Sequence, residues 1–239
     1  TVTATDEFGT PEETFAFKTG NVITGHGAIA AHSFVPTDNE PLFLSSTGIF
    51  ALTASDVTGE RYVQSRSFYI NPKLLAESDV SNAYACLHKD FYFIAAGDSL
   101  YVLDLLQKHF EQGEPYSNYQ YECFYLTGIP ARVIWDDDGE LFFGTADGKV
   151  CRFNTDETAP NSYNDTMDGE TYTPVQCQWE TPDIDGKTFY SSKHFRYLAC
   201  RLSAFVRTSV NADAMCAGKW FSILTDSISA RFFSWDNID

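Results

Sequence analysis

The densest group of metal-type ligands in the chain is Asp136-Asp137-Asp138-Gly139-Glu140, since hard divalent cations take carboxylate oxygens. A calcium loop, however, needs oxygens converging from spaced offsets, as in D-x-[DN]-x-[DN]-G followed by a distant Glu. Here the acids are consecutive and fall where a hairpin turn belongs, so a solvated turn is expected. The run Asn161 to Glu170, with Asp165 and Asp168, misses the same offsets and reads as a polar loop. The five histidines, at 26, 32, 88, 109 and 194, show no HxH or HExxH spacing. No G-x-S-x-G elbow, Walker A loop or dinucleotide fingerprint occurs. A glycoside hydrolase needs two carboxylates roughly 5–10 Å apart in a pocket. No pair among the 33 acidic residues is singled out by spacing. The expectation is no enzyme, with no catalytic, cofactor-binding or metal-ligating residue.

Such residues need elements to position them, and composition bounds what those can be. The 239 residues are 44% hydrophobic and 15% aromatic, enough for one large core or two small ones. Sixteen basic residues against 33 acidic give a net charge of −17, which argues against binding nucleic acid or an anionic membrane surface. No apolar run reaches the roughly 18 residues that span a bilayer, so no membrane insertion is expected. The N-terminal TVTATDEFGT lacks a starting Met and a signal-peptide pattern, so the chain is expected to begin inside a longer product or after processing. The six cysteines lie at 86, 123, 151, 177, 200 and 216 without a CxxC pair, and they read as buried thiols.

A repeat organises most of the chain. PLFLSSTGIFAL (41–52), FYFIAAGDSLYVL (91–103) and ELFFGTADGKVCRF (140–153) each hold an apolar strand, a turn containing Gly and a second short strand. Aligned on Leu42, Tyr92 and Leu141, they recur about every 50 residues. A strand precedes each hairpin (28–34, 82–88, 131–137) and another follows it (61–70, 119–126, 174–180). In this alignment His32 and His88 are structural equivalents.

Four short strands per 40–50 residues is the pattern of a β-propeller blade. The fold expected is all-β: an arm or the end of a preceding blade at 1–23, then three blades at about 24–75, 79–130 and 130–182. An incomplete β-sandwich-like module is expected at 183–239. Leu74–Glu77 and Leu105–His109 read as short helical turns in connections. Propellers need four to eight blades, so three imply more, upstream or from another chain. Sialidase-type and WD-repeat propellers are not supported: GTADGKV is only a vague Asp-box, and Trp135-Asp136 and Trp235-Asp236 are isolated.

The segments YECFYLTGIPARVIWDDDGELFFGTADGKVCRFNTD (121–156), YVQSRSFYINPKL (62–74) and VQCQWETPDIDGKTFYSSKHFRYLACRL (175–202) resemble structural proteins of tailed bacteriophages and prophages. The likeness covers roughly residues 40–235, and is more distant to propeller-bearing tail-hub and DNA-stabilisation proteins. It implies a tail-associated virion component, assembled in the bacterial cytoplasm, that contacts other phage proteins and self-associates in a ring. It carries no catalytic residue. The alternative is a module gripping a host-surface glycan, with Tyr116, Tyr119, Tyr163 and Tyr172 as aromatic candidates; a glycoside hydrolase stands behind it.

Overall fold

The computed structural model describes residues 2–5, 11–14, 26–38, 40–54, 61–113, 115–156, 158–159, 161–181, 184, 190 and 208–227. The fold is all-β. The chain falls into two compact units, Thr1–Thr155 and Asp156–Asp239.

The first unit opens with a hairpin of β1 (Val2–Thr5) and β2 (Pro11–Thr14). Three antiparallel sheets follow in chain order. The first is β3 (Leu42–Ser45), β4 (Gly48–Ala54) and β5 (Arg61–Ser65), with bridges Ala28↔Ser45 and Val35↔Leu42 adding a preceding segment at its edge. A helical turn, α1 (Asn71–Leu74), carries Pro72 in its first turn, where the missing N–H costs nothing. A 3₁₀ turn at Val80–Asn82 leads on. The second sheet is a four-stranded meander of β6 (Tyr84–His88), β7 (Phe91–Ala96), β8 (Ser99–Phe110) and β9 (Tyr119–Thr127). The third holds β10 (Ala131–Asp137), β11 (Glu140–Thr145) and β12 (Val150–Arg152). In the second unit, β13 (Asn164–Asp165) pairs with β14 (Thr173–Pro174), and β15 (Ser209–Cys216) with β16 (Lys219–Ser227).

Tight turns set the register. At the β10–β11 corner Asp138 and Gly139 both have positive φ, 51° and 79°, the twist-matching hairpin geometry that Asp-Gly favours. The acidic cluster is therefore this turn, as its consecutive acids suggested. At the β7–β8 corner Gly97 has φ 60°, and a Cβ there would lie 2.2 Å from Glu77 Oε2. A side chain there would be strained by the positive φ and would have to displace the Glu77 carboxylate.

The middle sheet is buried on both faces. One face presents Tyr92, Ile94, Tyr101 and Leu103 to Leu42, Leu44, Ile49 and Ala51 of the first sheet. The other presents Ala95, Leu100 and Val102 to Ala131, Ile134, Leu141 and Phe143 of the third. Strands covered on both sides read as continuous apolar runs, which is why β7 is FYFIAA and not an alternating pattern.

Four expectations need correcting. Counting back from the turn pairs Ser45↔Gly48 and Ala96↔Ser99, Leu42 corresponds to Phe93, not Tyr92. A one-residue slip exchanges the two faces of a strand. The bridge Val35↔Leu42 and the pair Cys86↔Phe93 then make Thr37, not His32, the counterpart of His88.

Leu105–His109 is strand, not helix. The ladder slips between Asp104↔Glu122 and Lys108↔Tyr121, and Asp104 Oδ1 accepts the N–H groups of Leu106 and Gln107 at 2.9 and 3.3 Å. That local bulge mimics a helical turn.

The strand expected at 174–180 is reduced to Thr173–Pro174, which pairs locally with Asn164–Asp165, while residues 171–181 are all exposed and offer no apolar face to hold a longer strand. Finally, of the cysteines described, Cys86, Cys123 and Cys151 are half-buried free thiols, whereas Cys177 and Cys216 are exposed. Burial pushes the Cys86 and Cys123 thiols up to about 12, so neither is an activated nucleophile. Cys200, Trp235-Asp236 and most of the module expected at 183–239 lie outside the described residues.

Candidate functional site

Two polar clamps hold the three sheets together, and beside them a long hairpin exposes apolar surface. The first clamp is centred on Arg66, just after β5 and 1% exposed. Its Nε and Nη2 donate to Glu40 Oε1 and Oε2 at 2.5 and 2.9 Å, a two-pronged pairing that suits the planar guanidinium. Nη1 donates to the Tyr119 carbonyl at 3.0 Å and Nη2 also to Gln64 Oε1 at 3.0 Å. The Tyr119 and Tyr121 hydroxyls donate to Glu40 Oε1 at 3.0 and 3.2 Å, and the guanidinium carbon lies 3.9 Å from the centre of the Tyr119 ring. Burial works against the Arg66 charge, but the hydrogen bond and charge of Glu40 outweigh it and the pKa lies above its ordinary value. Burial, followed by the Tyr119 hydrogen bond, likewise pushes the Tyr121 phenol well above its usual range. With its charge paired and its donors engaged on both sides, the cluster is a clamp between the first and second sheets.

The second clamp joins the second sheet to the third. His88, buried at the end of β6, holds the Asp136 carboxylate of β10 through Nδ1. The hydrogen bond from His88, then one from the Gly139 N–H, keeps the Asp136 carboxyl below its ordinary range. A group with a depressed folded-state pKa adds stability above its unfolded pKa and loses it as pH falls through the folded one. Stability should therefore drop below about pH 4, the ordinary aspartate value. Urea melts from pH 6 to pH 3 check this: the gap between the parent and Asp136→Asn should narrow as pH falls. A constant gap would remove Asp136 from the account.

Further bonds hold the second sheet to what precedes it. Tyr92 donates to the Ser33 carbonyl at 2.8 Å from inside the core. α1 and the segment after it support the second sheet, with Lys73 over the Tyr125 ring at 3.8 Å and Tyr101 donating to Glu77 at 2.8 Å.

Exposed apolar side chains crowd the β8–β9 hairpin on both of its faces, with Phe110 and Tyr125 on the face of Tyr119 and Tyr121 and with Phe124 and Leu126 on the opposite one. Leu106, Phe110, Phe124, Tyr125 and Leu126 are all exposed, and Tyr116 at the hairpin end is 82% exposed. Phe110 and Tyr116 stack at 4.7 Å with their planes 15° apart. Phe68 and Tyr69 extend the surface, Tyr69 meeting His109 edge-on at 5.7 Å. β9 is the outer strand of its sheet, and along its start Arg66 takes up the Tyr119 carbonyl and the Tyr121 N–H.

Of the tyrosines expected as glycan contacts, Tyr116 is exposed but Tyr119 is buried in the Arg66 clamp. Tyr163 and Tyr172 lie in the second compact unit. His32 is exposed and stacks on Tyr84 at 4.9 Å. Neither clamp was found from the sequence, because Glu40 and Arg66, or His88 and Asp136, are far apart in the chain and match no motif. Among the described residues, no three His, Cys, Asp or Glu side chains form a metal-binding group, and no helix is long and apolar enough to cross a membrane. No family model, curated protein or solved structure matches this chain.

Proposed function

We propose that this chain is a non-enzymatic, tail-associated structural component of a tailed-phage or prophage particle, with propeller blades serving as a rigid scaffold for protein contacts. The observation that carries this reading is the concentration of exposed apolar side chains on both faces of the β8–β9 hairpin, held on a doubly covered sheet. Large exposed apolar patches on a rigid body are the usual mark of a protein interface. The resemblance of 121–156, 62–74 and 175–202 to phage structural proteins supports the particle setting.

Three features support the blades. The sheets follow one another as antiparallel meanders and stack face to face. The first strands of successive units adjoin: His32 forms a parallel bridge to Tyr84, and β10 packs on β6. Propellers place their first strands side by side in this way around the axis. In this reading the β15–β16 hairpin belongs to the separate β-module.

The test is mass spectrometry of purified particles from the native source, combined with Leu106→Ser/Tyr116→Ser, two exposed sites that leave the core untouched. The polypeptide should be found at fixed copy number with tail proteins, and the double variant should fold normally but lose at least about tenfold in incorporation. A free protein absent from particles would overturn the reading. The Phe110–Tyr116 stack favours glycan binding as a second reading, because sugar rings lie against flat aromatic faces. Carbohydrate-array binding abolished by Tyr116→Ser would move that reading to the front.

A further inference from the structure

The outer edge of β9 is taken up at its start and open beyond it. From outside the sheet, Arg66 engages the Tyr119 carbonyl and the Tyr121 N–H. Backbone groups along a strand alternate sides, so those of Cys123, Tyr125 and Thr127 point outward as well. The ladder agrees. Leu105 donates its N–H to Asp90, which turns the odd residues of β8 toward β7 and leaves the even ones to bond Glu122, Phe124 and Leu126. Among the described residues, no backbone group pairs with the outer edge from Cys123 to Thr127. Edge strands are ordinarily guarded by a charge, a proline or a bulge. Cys123-Phe124-Tyr125-Leu126-Thr127 has none of these, and Phe124, Tyr125 and Leu126 are 56%, 42% and 39% exposed.

We infer that this edge pairs with the same edge of a second copy, the two β9 strands running antiparallel about a twofold axis at Tyr125. The strand is self-complementary in that register. Tyr125 meets its twin as a hydrogen-bonded pair, which is what outward N–H and C=O groups at the axis require, and Cys123 meets Thr127 of the second copy in the same way. Phe124 falls opposite Leu126 of the second copy, and Leu126 opposite Phe124, so one face carries two apolar cross-strand pairs. Glu122 falls opposite Gly128, so no like charges oppose each other. One patch thus supplies both halves of a twofold contact, with backbone bonds giving affinity and side-chain pairs giving register. Each copy carries a charge of −17, so repulsion between copies works against this uncharged contact, and added salt strengthens it. The inference deepens the scaffold reading by naming one partner of the same hairpin, and as a statement of function it rests on that reading. The pairing itself needs only the place of β9 as outer strand.

Sedimentation and light scattering of the full chain test this. The expected species is a dimer of 26.8 kDa chains, tighter in about 0.5 M than in about 0.05 M salt. Thr127→Pro removes an outward N–H and no bond to β8, and Phe124→Lys sets a charge against Leu126 of the second copy. Both sites are exposed in the single chain, so its melting should not change, while each variant should weaken dimerisation about tenfold or more. Cross-linking reads the register. Opposed residues at 124 and 126 would have Cα atoms about 4.5 Å apart, close enough for a disulfide. With Cys177 and Cys216 replaced by serine, Phe124→Cys mixed with Leu126→Cys should give a linked pair, oxidised glutathione taking up the two electrons and two protons. Either variant alone should not. A monomer at tens of micromolar in high salt would overturn the inference. So would a dimer indifferent to both Thr127→Pro and Phe124→Lys, or one that the mixed cysteine variants fail to link. Leu106→Ser/Tyr116→Ser lies outside the paired segment and should leave the dimer intact. A monomer leaves the particle measurement standing, and absence from particles leaves the dimer standing, so the two readings fail separately.

Discussion

Replacing Glu40 by alanine is expected to destabilise the first unit by about 3–5 kcal/mol, the usual cost of breaking a buried ion pair by removing one partner. The reason is local. Arg66 would remain in the core with its charge uncompensated, and the Tyr119 and Tyr121 hydroxyls would lose their shared acceptor. Arg66→Met should be comparably costly, since it strands the Glu40 carboxylate. The double variant Glu40→Leu/Arg66→Met should lose much less than the sum, because two apolar groups of similar size leave no buried charge behind. Urea unfolding of all four proteins measures this coupling. Additive losses would mean that the pair is solvated and is not the clamp described. Since Arg66 Nη1 also grips the Tyr119 carbonyl and the Tyr121 N–H donates to the Arg66 carbonyl, the single variants should loosen the first sheet from the second. Hydrogen exchange should report that loosening in β9.

The second large effect is a contrast between neighbours. Ile134 is fully buried between the second and third sheets, whereas Val133 points to the opposite face and is 41% exposed. Ile134→Ala should cost about 2–5 kcal/mol, the usual range for removing a fully buried branched side chain. Val133→Ala should cost under about 1 kcal/mol, as at most surface positions. The comparison is made by urea melts at matched protein concentration. Equal losses would mean that Val133 and Ile134 are buried alike, against the contrast in their exposure.

The same alternation bears on which readings of the chain succeeded and which did not. The hairpins at 42–54, 91–103 and 140–152 are legible because an apolar run, a short turn and a second apolar run need only local information. The alignment of the first copy is not. Leu42-Phe43-Leu44 and Tyr92-Phe93-Ile94 are equally apolar at every position, so hydropathy alone cannot say which residue faces which neighbour. Only the pairs Ser45↔Gly48 and Ala96↔Ser99 resolve it. Leu105–His109 failed for a related reason. Its side chains suit a helical turn, and it is the ladder to β9 that holds it as strand.

Taken alone, the sequence determined an all-β chain, its 50-residue rhythm, the strongly acidic balance and the Asp138-Gly139 turn. These follow from composition and from contacts within a few residues. The tertiary structure alone decided that Arg66 is buried on Glu40, that His88 meets Asp136 and that Tyr119 is lost to the surface while Tyr116 is not. A polar side chain becomes a clamp only when folding removes its water and brings a distant partner within hydrogen-bond reach. That partner is chosen by how sheets stack, which no local pattern records.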